Sequence, residues 1–118
     1  RYANPMDTLP GHSPETAILA AIRAVPRGQV VGYGVIARRA GLPGRARLVA
    51  RILASNEDPA LPWHRVLRSD GRIAFPPGSP AYREQARRLA AEGVPVQGGR
   101  VRMPADDGSL DAAIWSPR

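Results

Sequence analysis

The sequence predicts a mainly α-helical fold with a small β-hairpin, organised around a helix-turn-helix. Three features lead there. Apolar residues recur at helical spacing in segments that open and close with capping residues. Two of these segments are short and meet at a tight turn, "GLPG". A further stretch, "VLRSDGRIAF", has two short runs around Ser69-Asp70-Gly71, a hairpin signal.

Residues 1–11 are polar and carry Pro and Gly, and are expected to form a flexible segment ahead of a single domain over 12–103. Ser13 is a candidate N-cap with Pro14 at the first helical position. Ile18, Leu19, Ile22 and Val25 then follow at helical spacing until Pro26 and Gly28 end the run. Tyr33–Ala40 is a short helix closed by Gly41. Arg45–Ser55 is a second, with Leu48, Val49, Ile52 and Leu53 on its apolar side and Arg45, Arg47 and Arg51 giving it a basic character. Residues 56–66 form a loop with two prolines. Ser79, Pro80 and Gly93 bound a last long helix whose buried stripe is expected to be Tyr82, Ala86, Leu89 and Ala90. "VPVQGGRVRM" reads as a strand or hairpin, and 104–118 as a polar C-terminal tail containing Ile114 and Trp115.

Composition narrows the function. At 118 residues, 43% hydrophobic and 23% charged, the chain reads as one globular domain. It has no cysteine, which excludes disulfides, thiolate chemistry and cysteine-ligated metals. No apolar run approaches the ~20 residues of a membrane span, and no signal segment opens the chain, so the expected location is the cytoplasm, on the nucleoid in a bacterium. The net charge is +7 and every basic side chain is arginine, the residue best suited to bidentate phosphate pairing and to stacking on bases.

Catalytic candidates are few. The histidines are His12, near the N-terminus, and His64, which no Ser or Thr flanks to make a nucleophile pair. "GLPGRAR" lacks the spacing and lysine of a phosphate loop, and no cluster has metal-ligand spacing, so no cofactor or metal is expected. The informative stretch is "LPWHRVLRSDGRI", which has the look of a reactive loop with an indole, Trp63, at its centre.

"PWHRV" resembles the active-site segment of the O6-alkylguanine-DNA alkyltransferases, which carry Pro-Cys-His-Arg-Val there. The resemblance spans roughly 12–97 and includes "RGQVVGYGVIARRAG" and "ARLVARILASN" in the family's order and spacing. It implies a winged helix-turn-helix-like DNA-binding domain, as in the C-terminal domain of those enzymes. They move an alkyl group from guanine O6 to the cysteine, a position held here by Trp63. Tryptophan at that position marks the alkyltransferase-like proteins, which bind the same lesions without repairing them and hand them to nucleotide excision repair.

The resemblance also implies residue roles. Tyr33 would press on the 3′ phosphate and help rotate the nucleotide out. Arg47 would fill the space left by the flipped base, on a helix whose small residues Ala46, Ala50 and Ala54 allow close approach to the minor groove, flanked by Arg45 and Arg51. Tyr33, Pro62, Trp63, His64, Arg65 and Val66 would form the lesion pocket. Asn56 would order the turn before the loop. His64 and Glu92, the base and its carboxylate in the enzymes, would survive as a structural pair, and Arg65 would bind a carboxylate or a backbone carbonyl. "AFPPGSPAY" departs from the enzymes' Tyr-Ser-Gly-Gly pattern and has no cation at its tip.

The leading expectation is a monomeric, non-enzymatic sensor of O6-alkylguanine in double-stranded DNA that recruits nucleotide excision repair damage-recognition proteins. Against it stand an alkyltransferase with an unusual acceptor, a sequence-specific helix-turn-helix regulator, and a basic RNA-binding module.

Overall fold

The computed structural model describes residues 13–103. The expected flexible segment 1–11, His12 and the 104–118 tail lie outside the described residues. Helix α1 (Pro14–Arg23) starts where its cap predicts: Ser13 Oγ accepts the Thr16 N–H at 3.1 Å. Strand β1 (Val31–Gly32) leads directly into α2 (Tyr33–Arg39), and α3 (Ala46–Ala54) follows after a turn. At the end of α2 the Gly41 N–H bonds Arg38 O, and the Leu42 N–H reaches back to Ala37 O at 2.8 Å. Gly41 makes this reversal at φ +79°, a left-handed conformation that suits a residue without Cβ. The two helices are thereby set against each other as a helix-turn-helix.

A 3₁₀ turn (Trp63–Arg65) precedes strand β2 (Val66–Leu67), and α4 (Pro80–Ala91) closes the ordered elements. Ser79 caps α4 through its Oγ, as expected. No helix among the described residues is long and apolar enough to cross a membrane.

The β structure differs from the expected hairpin. β2 pairs in parallel with β1, in the register Val31↔Val66 and Gly32↔Leu67. The tight turn at Ser69-Asp70-Gly71 does form, with the Gly71 N–H on Arg68 O and the Arg68 N–H on Arg72 O. The chain beyond it then pairs elsewhere: Ile73 N–H donates to Gly99 O, Val101 N–H to Gly71 O, and Arg72 bridges Arg100 in antiparallel fashion. Of the strand or hairpin expected in 94–103, the structure shows a turn over Gly98–Gly99 closed by a Gln97–Arg100 bridge. A parallel partner comes from a distant segment across a helical connection, so no local pattern announces it.

The parallel pair separates two apolar clusters. Val31 and Val66 face one, built on Ile18, Ile22, Val25, Ile36, Val49, Ile52 and Leu61 from α1, α2, α3 and the loop. Val30 and Leu67 face the other, with Ile73, Leu89 and Val101. Alternation along two short strands sends successive side chains to opposite sides and ties the helix-turn-helix to the C-terminal half. On α4 the expected stripe holds for Leu89, with Tyr82 and Ala86 half-buried, but Ala90 is exposed. Gln85 takes the buried place instead. Its Nε2 donates to His64 O (3.0 Å) and Val66 O (3.2 Å), so a polar side chain is buried because it satisfies loop carbonyls.

Gly71 is the tightest point of the second cluster. It sits at φ +88°, and a Cβ there would lie 2.2 Å from the Val101 carbonyl oxygen. Gly71→Ala is expected to cost about 2 kcal/mol or more, from backbone strain and a clash with backbone that cannot yield. A thermal melt should show this as a fall of roughly 8 °C or more in Tm; an unchanged Tm would mean that the turn relaxes freely.

Candidate nucleic-acid interface

Helix α3 is sharply two-sided. Val49 and Ile52 are buried, while Arg45, Arg47 and Arg51 are exposed and no acid lies among them. Between α3, the start of α2 and the 68–75 segment lies an open cleft of about 660 Å³. Tyr33, Ala46, Arg47, Ala50 and Ala54 form one side of it, and Arg68, Ser69, Asp70, Ala74 and Phe75 the other. The alanines keep that helix surface low, so a partner can approach the α3 backbone closely.

Tyr33 is the first residue of α2 and is half-buried. Burial pushes its phenol above the ordinary value of 10, and the nearby Arg68 charge opposes this only in part. The hydroxyl is therefore a neutral donor at physiological pH, suited to an anionic acceptor.

The Pro62–Val66 loop is placed by a network centred on Glu92. Arg65 donates from Nη2 (2.8 Å) and Nε (3.2 Å) to Glu92 Oε2, and from Nη1 to the Val25 carbonyl (2.9 Å). His64 Nε2 lies 2.8 Å from Glu92 Oε2, and the Gly28 N–H donates to Oε1 at 3.0 Å. Both Glu92 and His64 side chains are more than nine-tenths buried. The Arg65 guanidinium, more than burial opposes it, lowers the Glu92 carboxyl from 4.5 to about 2, helped by the Gly28 N–H and His64. Glu92 also caps the C-terminus of α4, where the helix dipole disfavours a carboxylate. The arginine and histidine contacts offset that cost. Asn56 orders its own turn: Nδ2 donates to Asp58 O, and Oδ1 accepts the Asp58 N–H.

Trp63 is half-buried and is not among the residues that line the cleft. Its ring meets Phe75 edge-on at 5.8 Å and 88°. The Arg88 guanidinium stands 5.4 Å from its centroid and is held there by Glu84 at 2.6 Å. Of the residues expected at the interface, Tyr33, Ala46, Arg47 and Ala50 line the cleft together, and Arg45 and Arg51 lie exposed on the same helix. The expected lesion pocket is not brought together: none of Pro62, Trp63, His64, Arg65 and Val66 lines the cleft with Tyr33. Pro62, His64 and Arg65 line a separate pocket of about 400 Å³, Val66 packs in the core, and Trp63 touches the cleft wall through Phe75. Arg68, Ser69, Asp70, Ala74 and Phe75 were not foreseen. The absence of the Tyr-Ser-Gly-Gly pattern left that segment without a motif, although Phe75, the single phenylalanine of the chain, was a signal available to composition.

The family model for the 6-O-methylguanine DNA methyltransferase DNA-binding domain matches residues 13–94. The chain belongs to that family. It is similar to a DNA base-flipping protein of Vibrio parahaemolyticus, 44% identical over 80 residues, covering 67% of this chain and 78% of that one. It is also similar to alkyltransferase-like protein 1 of Schizosaccharomyces pombe, 37% identical over 82 residues, covering 69% of this chain and 76% of that one. Among solved structures, S. pombe Atl1 in complex with damaged DNA containing O6-carboxymethylguanine superposes with a TM-score of 0.67 at 33% identity, over 77% of this chain and 88% of that one. This member of the family carries Trp63 between Pro62 and His64 and has no cysteine in its 118 residues, so it holds no thiol to accept an alkyl group.

Removing the carboxylate tests the network. Glu92→Ala leaves the partly buried Arg65 guanidinium with only the Val25 carbonyl and is expected to destabilise the domain by up to about 3 kcal/mol, the low end for breaking a buried pair. The lowered Glu92 value also sets a pH dependence. Its contribution is complete above the unfolded value of 4.5 and is lost as pH falls towards about 2. Denaturant melts across that window should show the gap between wild type and variant closing as the solution is acidified; a gap independent of pH would remove Glu92 as the keystone.

Proposed function

We propose that the protein is a non-enzymatic DNA-damage sensor. It binds O6-alkylguanine in double-stranded DNA by turning the nucleotide out of the helix, leaves the alkyl group in place, and presents the complex to nucleotide excision repair damage-recognition proteins. The observation that carries this reading is Trp63 in place of a nucleophile, within an intact His64–Arg65–Glu92 frame.

The chain's residues supply each step. Arg45 and Arg51 engage phosphates beside α3, and the small surface of Ala46 and Ala50 lets the helix sit close in the minor groove. Tyr33, a neutral donor, bears on the phosphate of the rotating nucleotide. Extrusion costs a few kcal/mol, and the Arg47 guanidinium offsets part of it by occupying the gap and bonding the orphaned base. The turned-out base then meets the aromatic wall of Phe75 with Trp63 behind it. With no thiol needing in-line access to the alkyl carbon, that wall accepts substituents of more than one size. The protein acts as a monomer, and in a bacterial cytoplasm it would work on the nucleoid.

The deciding experiment is a matched pair of titrations at one stated salt concentration, using a duplex with a single O6-methylguanine and its unmodified twin, with the recovered DNA assayed for the methyl group. Selective binding with the methyl retained is expected. Methyl loss would make the protein an enzyme, and equal binding with preference for a base sequence would make it a helix-turn-helix regulator. In the same assay Arg47→Ala should weaken lesion-specific binding by about 1–3 kcal/mol. Trp63→Ala should reduce affinity for the alkylated duplex more than for the plain one; an equal loss would leave Trp63 as packing alone.

A further inference from the structure

The surface beside the cleft carries charge that the steps above do not use. Arg68 lines the cleft and also an adjoining groove of about 930 Å³ whose walls include Arg72 and Arg100. Backbone pairing brings these arginines together. Arg72 and Arg100 are opposed across an antiparallel bridge, and the Arg68 N–H is bonded to Arg72 O. All three are exposed.

Like charges directly opposite each other on antiparallel strands repel. Among the described residues, Asp70 is the carboxylate that stands against the three guanidiniums. Its Oδ2 lies 3.5 Å from Arg72 Nε and its Oδ1 accepts the Arg72 N–H at 3.1 Å. That N–H first, and then the fields of Arg72, Arg100 and Arg68, hold its carboxyl below the ordinary range. Among the described residues Asp70 forms an ion pair with Arg72, while Arg68 and Arg100 feel it only at longer range. The backbone hydrogen bonds around Gly71 and Gly99 fix the relative positions of the three residues along this edge, from which the exposed guanidiniums extend.

We propose that Arg68, Arg72 and Arg100 form a phosphate-binding edge that carries the DNA backbone away from the cleft, as a contact separate from α3. The inference rests on DNA being the partner, but not on recognition of the lesion. The chemistry favours a phosphodiester chain over a small anion: the charges are strung along an exposed edge rather than gathered in an enclosed pocket. The edge is continuous with the cleft through Arg68, which lies there beside Tyr33 and Arg47. Guanidiniums so placed pair with successive phosphate oxygens and relieve their own repulsion.

The test is the salt dependence of binding to the unmodified and the O6-methylguanine duplex. Each phosphate contact contributes about 0.9 to the slope of log K against log salt. The paired variant Arg72→Gln/Arg100→Gln should flatten that slope by nearly 2 on both duplexes, with the ratio of modified to plain binding unchanged. Arg23→Gln/Arg87→Gln, which removes the same charge from exposed positions on α1 and α4, should leave the slope as it is. Equal flattening by the two pairs would reduce the effect to net charge and overturn the proposal; so would a slope that neither pair changes. A wild type that binds both duplexes equally would defeat the lesion-sensor reading, while the slopes would still decide the phosphate edge. Thermal melts of both variants confirm that the comparison is made on folded protein.

Discussion

The Glu92 carboxylate is the contact on which the rest of the structure depends. It receives Arg65, His64 and the Gly28 N–H, and so joins the end of α4, the Pro62–Val66 loop and the turn after α1. Arg65 extends the tie to the Val25 carbonyl. A buried charge is costly when isolated and tolerable when every lone pair is used, and here nearly all of them are. The ionic network ties the loop to α4 and to the turn after α1, and β2 leaves directly from that loop. Among the described residues, His64 Nδ1 is the one buried side-chain nitrogen or oxygen without a partner. In the repair enzymes that this loop resembles, the histidine serves a thiol; here the loop has none to serve.

The parallel pair β1–β2 then does two things at once. It closes the helix-turn-helix core with Val31 and Val66 and opens a second core with Val30 and Leu67. It also delivers Tyr33 at the first position of α2 and Arg68 just beyond β2, so that both reach the same cleft. Gly32 is where the two strands come nearest the following turn: a Cβ there would lie 3.1 Å from the Ser69 Cα. The cleft is therefore a consequence of strand register, with α3 brought to it by the helix-turn-helix.

Electrostatics divides the surface by task. Acids are drawn into specific pairs: Glu92 with Arg65 inside, Glu84 with Arg87 and Arg88 on α4, Asp70 with Arg72 at the turn. The arginines of α3 are left without acids on their helix. A net charge of +7 on a small chain thus becomes a directed feature rather than a uniform coat.

Much of this was legible in the sequence, for a definite reason. Caps, glycine stops and helical periodicity are short-range signals, so Ser13, Gly41 and Ser79 located the helix ends and the helix-turn-helix followed from them. The lack of cysteine and the place of Trp63 needed no structure either, because chemistry that requires a sulfur is excluded by its absence. The tertiary structure alone decided the parallel pairing of β2, the exchange of Ala90 for Gln85 in the buried face of α4, and the far wall of the cleft from Arg68 to Phe75. Each of these joins segments distant in sequence. A strand's partner, a buried amide's acceptors and the neighbours of an aromatic ring are settled by which backbone groups remain unpaired once the helices pack, and no window along the chain contains that information.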